Sequence, residues 1–254
     1  MAIGVFDSGI GGITVLKEAL EVIPDEDYIY YADTKHVPYG IKSKEEVRGF
    51  IFDAVEFLAR KGINTLVIAC NTATSIAVND LRKKYSFPII GMEPAVKPAV
   101  QMNGNGRRVL VLATPLTLKE TKFRDLVARV DEHGIVDYLP VPELVEMTER
   151  LVFDRDIVVP FLKEKLSVFD LSLYGTLVLG CTHFLFYRHF FEEALPGHIS
   201  IIDGNRGTVA HLNNVMMQRG LRSGSGSGNI DFYISGERAY GTDLERFKFL
   251  LDIA

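Results

Sequence analysis

The sequence predicts an α/β protein with two similar α/β domains, mainly parallel sheets, and an active site at the domain interface. Short apolar segments that end in polar residues alternate with helical patterns along the chain, as in parallel sheets covered by helices. The segment Thr65-Leu-Val-Ile-Ala-Cys70 has a near copy in Thr176-Leu-Val-Leu-Gly-Cys181. An order of strand, turn and helix also recurs ahead of each copy. We therefore interpret the chain as an internal duplication.

Composition limits the class of protein. The chain has 254 residues, 47% of them hydrophobic, which is enough for one large or two modest cores. Its net charge of −5 argues against a nucleic-acid or anionic-membrane surface. No apolar run reaches transmembrane length, and the start of the chain lacks the basic region of a signal peptide. Two cysteines make no disulfide framework. We therefore expect a cytoplasmic protein without nucleic-acid or membrane partners.

The first element is a strand over residues 3–6, followed by the glycine-rich turn Asp7-Ser8-Gly-Ile-Gly-Gly12 and a helix to about Ile23. Glycines in such a turn allow a ligand to approach backbone N–H groups. The turn lacks the lysine of a P-loop and the spacing of a dinucleotide site. Asp7 and Ser8 suit an ammonium group or a catalytic carboxylate, although the same residues are typical helix caps.

A second strand over residues 28–31 leads into a polar loop with the turn Pro38-Tyr39-Gly40. This loop is either a plain connection or a cover for a small ligand. Ser43 and Glu46 form a capping box that predicts a helix to about residue 61. The strand before Cys70, a helix to about residue 85 and a strand over 88–90 complete the first half.

The pattern restarts near residues 91–94. A strand over 108–114 resembles the first strand, with Thr114 where Asp7 stood. The elements expected after it are a capping box at 117–120, a helix to about 130, a weak strand near Tyr138, helices to about 168, the Cys181 strand, and a strand over 199–202.

The tail contains a helix from Asn205 to about Gly220 and a glycine–serine run at 223–228, a flexible linker by composition that is either natural or engineered. An edge strand over 231–234 and a capping box at 242–245 precede the last helix. The tail is expected to return to the first domain. We therefore assign residues 1–92 with 206–254 to the first domain and 93–205 to the second.

Both cysteines lie at carboxyl ends of predicted strands, where open α/β sheets bind ligands and where helix N-termini favour a thiolate. A buried cysteine can also be a small hydrophobe. Cys70, Cys181 and His183 make a thin metal-ligand set, and a redox Cys-x-x-Cys is missing. Two facing thiols suit inversion at carbon, in which one takes a proton and the other returns one. Asp7 and His183 are the candidates that set the protonation of thiols, whose ordinary pKa is ~8.5.

Five motifs together resemble the signatures of glutamate racemase, in that family's order and over most of the chain. They are Asp-Ser-Gly-Ile-Gly-Gly (7–12), Val-Pro-Tyr-Gly (37–40), Ala-Cys-Asn-Thr-Ala (69–73), Gly-Met-Glu-Pro (91–94) and Leu-Gly-Cys-Thr-His (179–183). The resemblance implies cofactor-independent interconversion of L- and D-glutamate, without a metal, that supplies D-glutamate for peptidoglycan. It also implies a bacterial, cytoplasmic enzyme.

The resemblance makes Cys70 and Cys181 the two acid/base thiols, with Asp7 assisting Cys70 and His183 assisting Cys181. Cys70 would deprotonate D-glutamate and Cys181 would deprotonate L-glutamate. A family glutamate near the second cysteine matches Glu146 in Pro-Glu-Leu-Val-Glu (142–146), if one residue is inserted. The positions that match glutamate-binding residues are Asp7, Ser8, Pro38, Tyr39, Gly40, Asn71, Thr72, Thr114 and Thr182.

Other functions stay open from the sequence. An aspartate racemase or another two-cysteine racemase would use the same thiols on a different carbon acid. A non-enzymatic amino-acid-binding protein would not need the cysteine pair. A zinc hydrolase would need a metal, and a pyridoxal-phosphate racemase would need a lysine in a context that we do not find. The sequence does not determine the oligomeric state, and it is compatible with a homodimer.

Overall fold

A computed structural model describes residues 2–103 and 106–254. Its strands form two sheets. The first sheet contains β1 (Ala2–Asp7), β2 (Asp27–Ala32), β3 (Thr65–Ile68), β4 (Ile89–Gly91), β9 (Ile230–Ile234) and β10 (Glu237–Arg238). The second contains β5 (Arg108–Ala113), β6 (Val136–Pro140), β7 (Tyr174–Leu179) and β8 (Ser200–Asp203). The predicted class, mixed α/β with mainly parallel sheets, is confirmed.

The two sheets share one strand order. In the first sheet the order is β10-β9-β2-β1-β3-β4, and in the second it is β6-β5-β7-β8. Strands β1 to β4 therefore occupy the same relative places as β5 to β8, and all these neighbours are parallel. This shared order supports the interpretation of an internal duplication.

Helices cover both faces of each sheet, which is why the central strands are apolar on every side. They are α1 (Ile13–Val22), α2 (Lys44–Arg60), α3 (Asn71–Lys84), α4 (Val96–Met102), α5 (Pro115–Lys119), α6 (Thr121–Val130), α7 (Glu143–Glu149), α8 (Arg155–Leu166), α9 (Arg188–Ala194), α10 (Asn205–Gln218) and α11 (Gly241–Ile253). Short 3₁₀ segments occur at Tyr39–Ile41, Leu171–Leu173 and Thr182–Tyr187. No helix in these described ranges is both long and apolar enough to cross a membrane.

One of the three predicted capping boxes forms. Ser43 and Glu46 cap α2 reciprocally. The box at residues 117–120 is wrong, because Pro115 starts α5 and Thr114 is its cap, accepting a hydrogen bond from the Thr117 amide. Proline is favoured at the first helical position, so the helix begins earlier than the Thr-x-x-Glu pattern suggests. The box at 242–245 is also wrong, because α11 begins at Gly241 with no side-chain cap.

The tail returns to the first sheet, as expected, because β9 pairs in parallel with β2. Strand β9 is not an edge strand, since the antiparallel strand β10 pairs with its outer side. The division of the chain at residues 92 and 205 stays a prediction.

The glycine–serine run is docked onto the protein, so the prediction of a flexible linker is wrong. Its first residues donate amide hydrogen bonds to the buried Glu26 carboxylate, at 2.5 Å from Ser223 and 3.2 Å from Gly224. The Gly226 amide donates to the Asp25 carbonyl at 2.8 Å. A Cβ on Gly226 would meet the backbone around Glu26 at 2.7 Å. Composition alone does not reveal this docking, because the acceptors lie in the turn before β2.

Candidate active site

A small cleft lies at the carboxyl ends of both sheets and contains both cysteines. Cys70 follows β3 and Cys181 follows β7, the equivalent strands of the two sheets, so the duplication brings the thiols to one place. The closed cleft is narrow, with room for little more than one water molecule, about 10 Å³. The residues that line it are Ser8, Pro38, Tyr39, Gly40, Cys70, Asn71, Thr72, Thr114, Val145, Gly180, Cys181, Thr182 and His183.

Most of the predicted site residues are in this lining, and two are not. Asp7 is 0% exposed and lies behind the wall, where its Oδ1 accepts a hydrogen bond from Thr182 Oγ1 at 3.3 Å. Glu146 is exposed on α7. Val145 and Gly180 line the cleft without having been predicted.

The Cys70 thiol is buried. Cys70 is the N-cap of α3, and its Sγ accepts a hydrogen bond from the Ala73 amide at 3.4 Å. Burial raises the pKa of Cys70 to about 12, and the nearby Asp7 carboxylate adds to that rise against an opposing hydrogen bond from Ser8. Cys70 therefore holds its proton at neutral pH.

Asp7 is a second group with an altered pKa. Its Oδ2 accepts a hydrogen bond from the Gly9 amide at 3.1 Å. Burial raises the pKa of Asp7 to about 6, although the positive charge of His183 opposes that rise. The N-cap of α1 is Gly12, with no side-chain cap. A helix-capping role for Asp7 therefore does not account for its position.

The Cys181 thiol has a different setting. A 3₁₀ segment follows it instead of the expected α-helix, and Cys181 makes no side-chain cap. His183 Nδ1 lies 3.8 Å from Cys181 Sγ, and His183 Nε2 lies 2.8 Å from Glu149 Oε1. Burial opposes a charge on His183, but its hydrogen bonds to Cys181 and Glu149 prevail and raise its pKa well above the ordinary value. A positive imidazolium beside Cys181 would stabilise a negative charge on that sulfur.

The glutamate in contact with His183 is Glu149, one turn beyond Glu146. Leu144, Val145 and Thr148 form the buried face of α7. A residue four positions after Val145 lies beside that face, whereas Glu146 points to solvent. Helical spacing was therefore a signal that favoured Glu149. The prediction that Glu146 lies at the site is wrong, because Glu149 occupies that place.

The glycine-rich turn of the first sheet presses directly on His183. The Ile10 amide donates to Glu149 Oε1 at 2.9 Å. A Cβ on Gly11 would collide with the His183 ring and the Thr182 hydroxyl, and one on Gly9 would collide with Glu149. These glycines are therefore required by the close approach of two segments that are far apart in sequence.

Three threonine hydroxyls form a closed triangle between the two sheets. Thr72 Oγ1 lies 2.9 Å from Thr114 Oγ1 and 2.8 Å from Thr117 Oγ1, and the last two are 3.0 Å apart. Thr117 was missed because its pattern was interpreted as a helix cap. Beside them, Asn71 Oδ1 is buried with no hydrogen-bond partner among the described residues. The cleft therefore offers hydroxyls and one free amide oxygen to a ligand.

The loop around Tyr39 closes the cleft. Tyr39 is buried and donates a hydrogen bond to Asp33 Oδ2 at 2.5 Å. The same carboxylate contacts His36 Nδ1 at 2.8 Å and accepts from Ser235 Oγ at 3.0 Å. Gly40 lies so close to Thr114 that an added Cβ would collide with it. Asp33 was not predicted, and it fixes the wall that Tyr39 forms.

The lining contains cysteine, hydroxyl and amide groups, and none of its described residues is Lys or Arg. No group of three or more His, Cys, Asp or Glu residues within 2–103 and 106–254 is arranged to hold a metal ion. The cleft can therefore present two thiols and several neutral hydrogen-bonding groups to one small molecule.

Comparisons with known proteins agree with this geometry. The model of the Asp/Glu/hydantoin racemase family matches residues 13–212. A glutamate racemase of Halothermothrix orenii is 62% identical over 254 residues, covering 100% of this chain and 98% of that protein. Glutamate racemase 2 of Bacillus subtilis is 52% identical and covers 100% and 96%. The crystal structure of Francisella tularensis glutamate racemase in complex with D-glutamate aligns with a TM-score of 0.84 at 27% identity, covering 98% of this chain and 92% of that one.

Proposed function

The chain belongs to the Asp/Glu/hydantoin racemase family and is an isomerase, and we propose that it interconverts L- and D-glutamate without a cofactor through its two cysteines. One observation carries the proposal. Cys70 and Cys181 end equivalent strands of two similar sheets and line one small cleft. The relatives named glutamate racemase support glutamate as the substrate.

The different settings of the thiols support a two-base mechanism. Cys70 keeps its proton at neutral pH, whereas a positive His183 lies next to Cys181. A thiolate on Cys181 removes the Cα proton from one face of the substrate, and the Cys70 thiol gives its proton to the other face. The cycle leaves Cys181 as a thiol and Cys70 as a thiolate, which is the state that runs the reverse reaction. By likeness to the family, Cys181 deprotonates L-glutamate and Cys70 deprotonates D-glutamate.

Neutral groups hold the substrate in this proposal. The oxygen of Asn71 is a free acceptor that suits the ammonium group. The hydroxyl of Ser8 can donate to a carboxylate. The hydroxyls of Thr72, Thr114 and Thr182 can do so when their O–H groups turn from their present partners to the substrate. A liganded structure in which lysine or arginine side chains are the main carboxylate anchors would contradict this part of the proposal.

The biological role follows from the family and is part of the proposal. D-glutamate made in the cytoplasm would supply peptidoglycan synthesis. Asp7, whose carboxylate acts on Cys70, would assist on the Cys70 side. A homodimer is compatible with this role, and sedimentation of the purified protein measures the oligomeric state.

Incubation of the purified protein with L-glutamate, without added cofactor, tests the proposal. The circular dichroism signal of L-glutamate should decay to zero as the racemic mixture forms. A reaction started with D-glutamate should show the same decay of its signal. L-aspartate serves as the comparison substrate. Faster turnover of aspartate than of glutamate would show that aspartate is the substrate. A signal that stays constant with both amino acids would refute racemisation.

A further inference from the structure

Glu149 is held by groups from three separate segments. Its Oε1 accepts hydrogen bonds from the Ile10 amide at 2.9 Å and from His183 Nε2 at 2.8 Å. Arg246, on α11, makes the third contact: its Nη2 donates to the Glu149 carbonyl and lies 3.5 Å from Oε2. Both carboxylate oxygens therefore face a donor, and the one away from His183 faces a fixed positive charge.

The core of the first domain fixes the position of Arg246. The next residue, Phe247, is buried and stacks on Phe232 of β9 at a centroid distance of 4.8 Å. Phe247 also packs on Tyr30 at 5.6 Å, and the Tyr30 hydroxyl donates to the Gly9 carbonyl at 2.8 Å. Contacts through Phe247 and Tyr30 thus connect α11 to the turn at Gly9. Glu149, in contrast, lies on α7, which follows β6 of the second sheet.

We propose that Arg246 is a positioning residue for the Cys181 side of the reaction, acting on Cys181 through Glu149 and His183. The inference rests on the proposed racemase function. Arg246 is not among the residues that line the cleft, so it touches no substrate. Arg246 connects α11 to the Glu149 carboxylate, which orients the His183 imidazole.

Two effects of losing the arginine oppose each other. Removing a cation beside Glu149 strengthens the field of that carboxylate at His183, which favours imidazolium. The contacts of His183 with Cys181 and Glu149 already raise its pKa well above the ordinary value, so a stronger field from Glu149 only reinforces a charge that these contacts favour. Releasing Glu149 loosens the imidazole, which weakens its contact with Cys181 Sγ. The loss of orientation therefore decides the outcome.

The substitution Arg246→Met is suited to the test because it retains an apolar stem while removing the charged group. Arg246 Nε is buried without a hydrogen-bond partner among the described residues. A buried unpaired donor destabilises a fold, so its removal limits the loss of stability in the variant. Arg246→Lys keeps the charge and should restore part of the function. Lys248→Met is the matched control, because Lys248 is an exposed cation on the same helix.

The primary measurement is the rate at which iodoacetamide alkylates each cysteine at pH 7, followed by mass spectrometry of the two peptides. Arg246→Met should slow alkylation of Cys181 about tenfold, the size of one charge-assisted hydrogen bond. Alkylation of Cys70 should stay unchanged and serves as the internal reference. Lys248→Met should behave as the wild type, and Arg246→Lys should lie between.

The second measurement is the Cα-deuterium isotope effect with each enantiomer. His183→Asn and Asp7→Asn serve as references, and they should give opposite patterns for the two enantiomers because His183 lies beside Cys181 and Asp7 acts on Cys70. Arg246→Met should follow the pattern of His183→Asn. An unchanged rate of Cys181 alkylation in a folded Arg246→Met variant would overturn the inference, and so would equal slowing of alkylation at both cysteines. Arg246 would then only anchor the helix. Alkylation needs no turnover, so this result stands apart from any failure of the wild type to racemise glutamate.

Discussion

Replacement of Glu149 by glutamine tests how the Cys181 side is activated. The carboxylate oxygen Oε1 accepts from Ile10 N at 2.9 Å and from His183 Nε2 at 2.8 Å. A glutamine carbonyl retains one acceptor, but the amide presents N–H groups and no negative charge. The variant therefore loses about one hydrogen bond to a charged group, worth ~1.5–3 kcal/mol. Since ~1.4 kcal/mol is tenfold in rate, kcat/KM should fall about 10- to 100-fold.

The assay is racemisation followed by circular dichroism from both enantiomers over a range of pH. The value of kcat/KM should fall by the same factor in both directions, because an enzyme leaves the equilibrium constant unchanged. Glu149 raises the pKa of His183, so its loss lowers that pKa. The imidazolium then loses its proton at a lower pH, and the alkaline decline in activity should move to lower pH.

Glu146→Gln is the matched control, since it makes the same chemical change on the same helix at an exposed position. It should leave kcat/KM unchanged within about twofold, as surface substitutions generally do. A large effect of Glu146→Gln together with a small effect of Glu149→Gln would refute the reasoning and restore the prediction made from the sequence.

Further predictions concern the thiols, the buried aspartate and the cleft wall. Cys70→Ser and Cys181→Ser should each lower turnover by several orders of magnitude with a retained fold, because a hydroxyl is a much weaker acid than a thiol; near-normal turnover of either would contradict the two-thiol mechanism. The pKa of Asp7 is raised to about 6, so the folded protein holds the Asp7 proton more tightly than the unfolded chain does. This preference contributes fully to the free energy of unfolding below the ordinary pKa of aspartate, and the contribution is lost as the pH rises through about 6. Asp7→Asn should therefore abolish most activity yet raise the free energy of unfolding at pH 7.5 by roughly 3 kcal/mol, with no gain near pH ~3.5; urea unfolding at both pH values measures this, and lower stability of the variant at pH 7.5 would contradict it. Tyr39→Phe and Asp33→Asn should each raise KM for glutamate about tenfold, as loss of a charge-assisted hydrogen bond does, and the double variant should be no worse than either; independent, additive effects would show that the two side chains do not act as a unit.

The sequence determined the architecture and the central pair of the site. Alternating apolar segments and helical patterns are local properties, so the strands and most helices could be located from them. The likeness of the Cys70 and Cys181 segments predicted equivalent strand ends, and strand ends in parallel sheets meet at one edge. The motifs around them identified most of the cleft lining and the family.

The details that depend on contacts between distant segments needed the tertiary structure. Glu149 was recognised only where α7 meets the turn at Ile10, and Arg246 only where α11 meets α7. The docking of residues 223–228 and the role of Thr117 in the hydroxyl triangle depend on partners far away in the chain. Local periodicity shows which face of a helix is buried, but the partner on that face is set by how the two sheets and their helices pack together. For that reason the sequence determined the pair of thiols, and the tertiary structure decided which side chains control their charge.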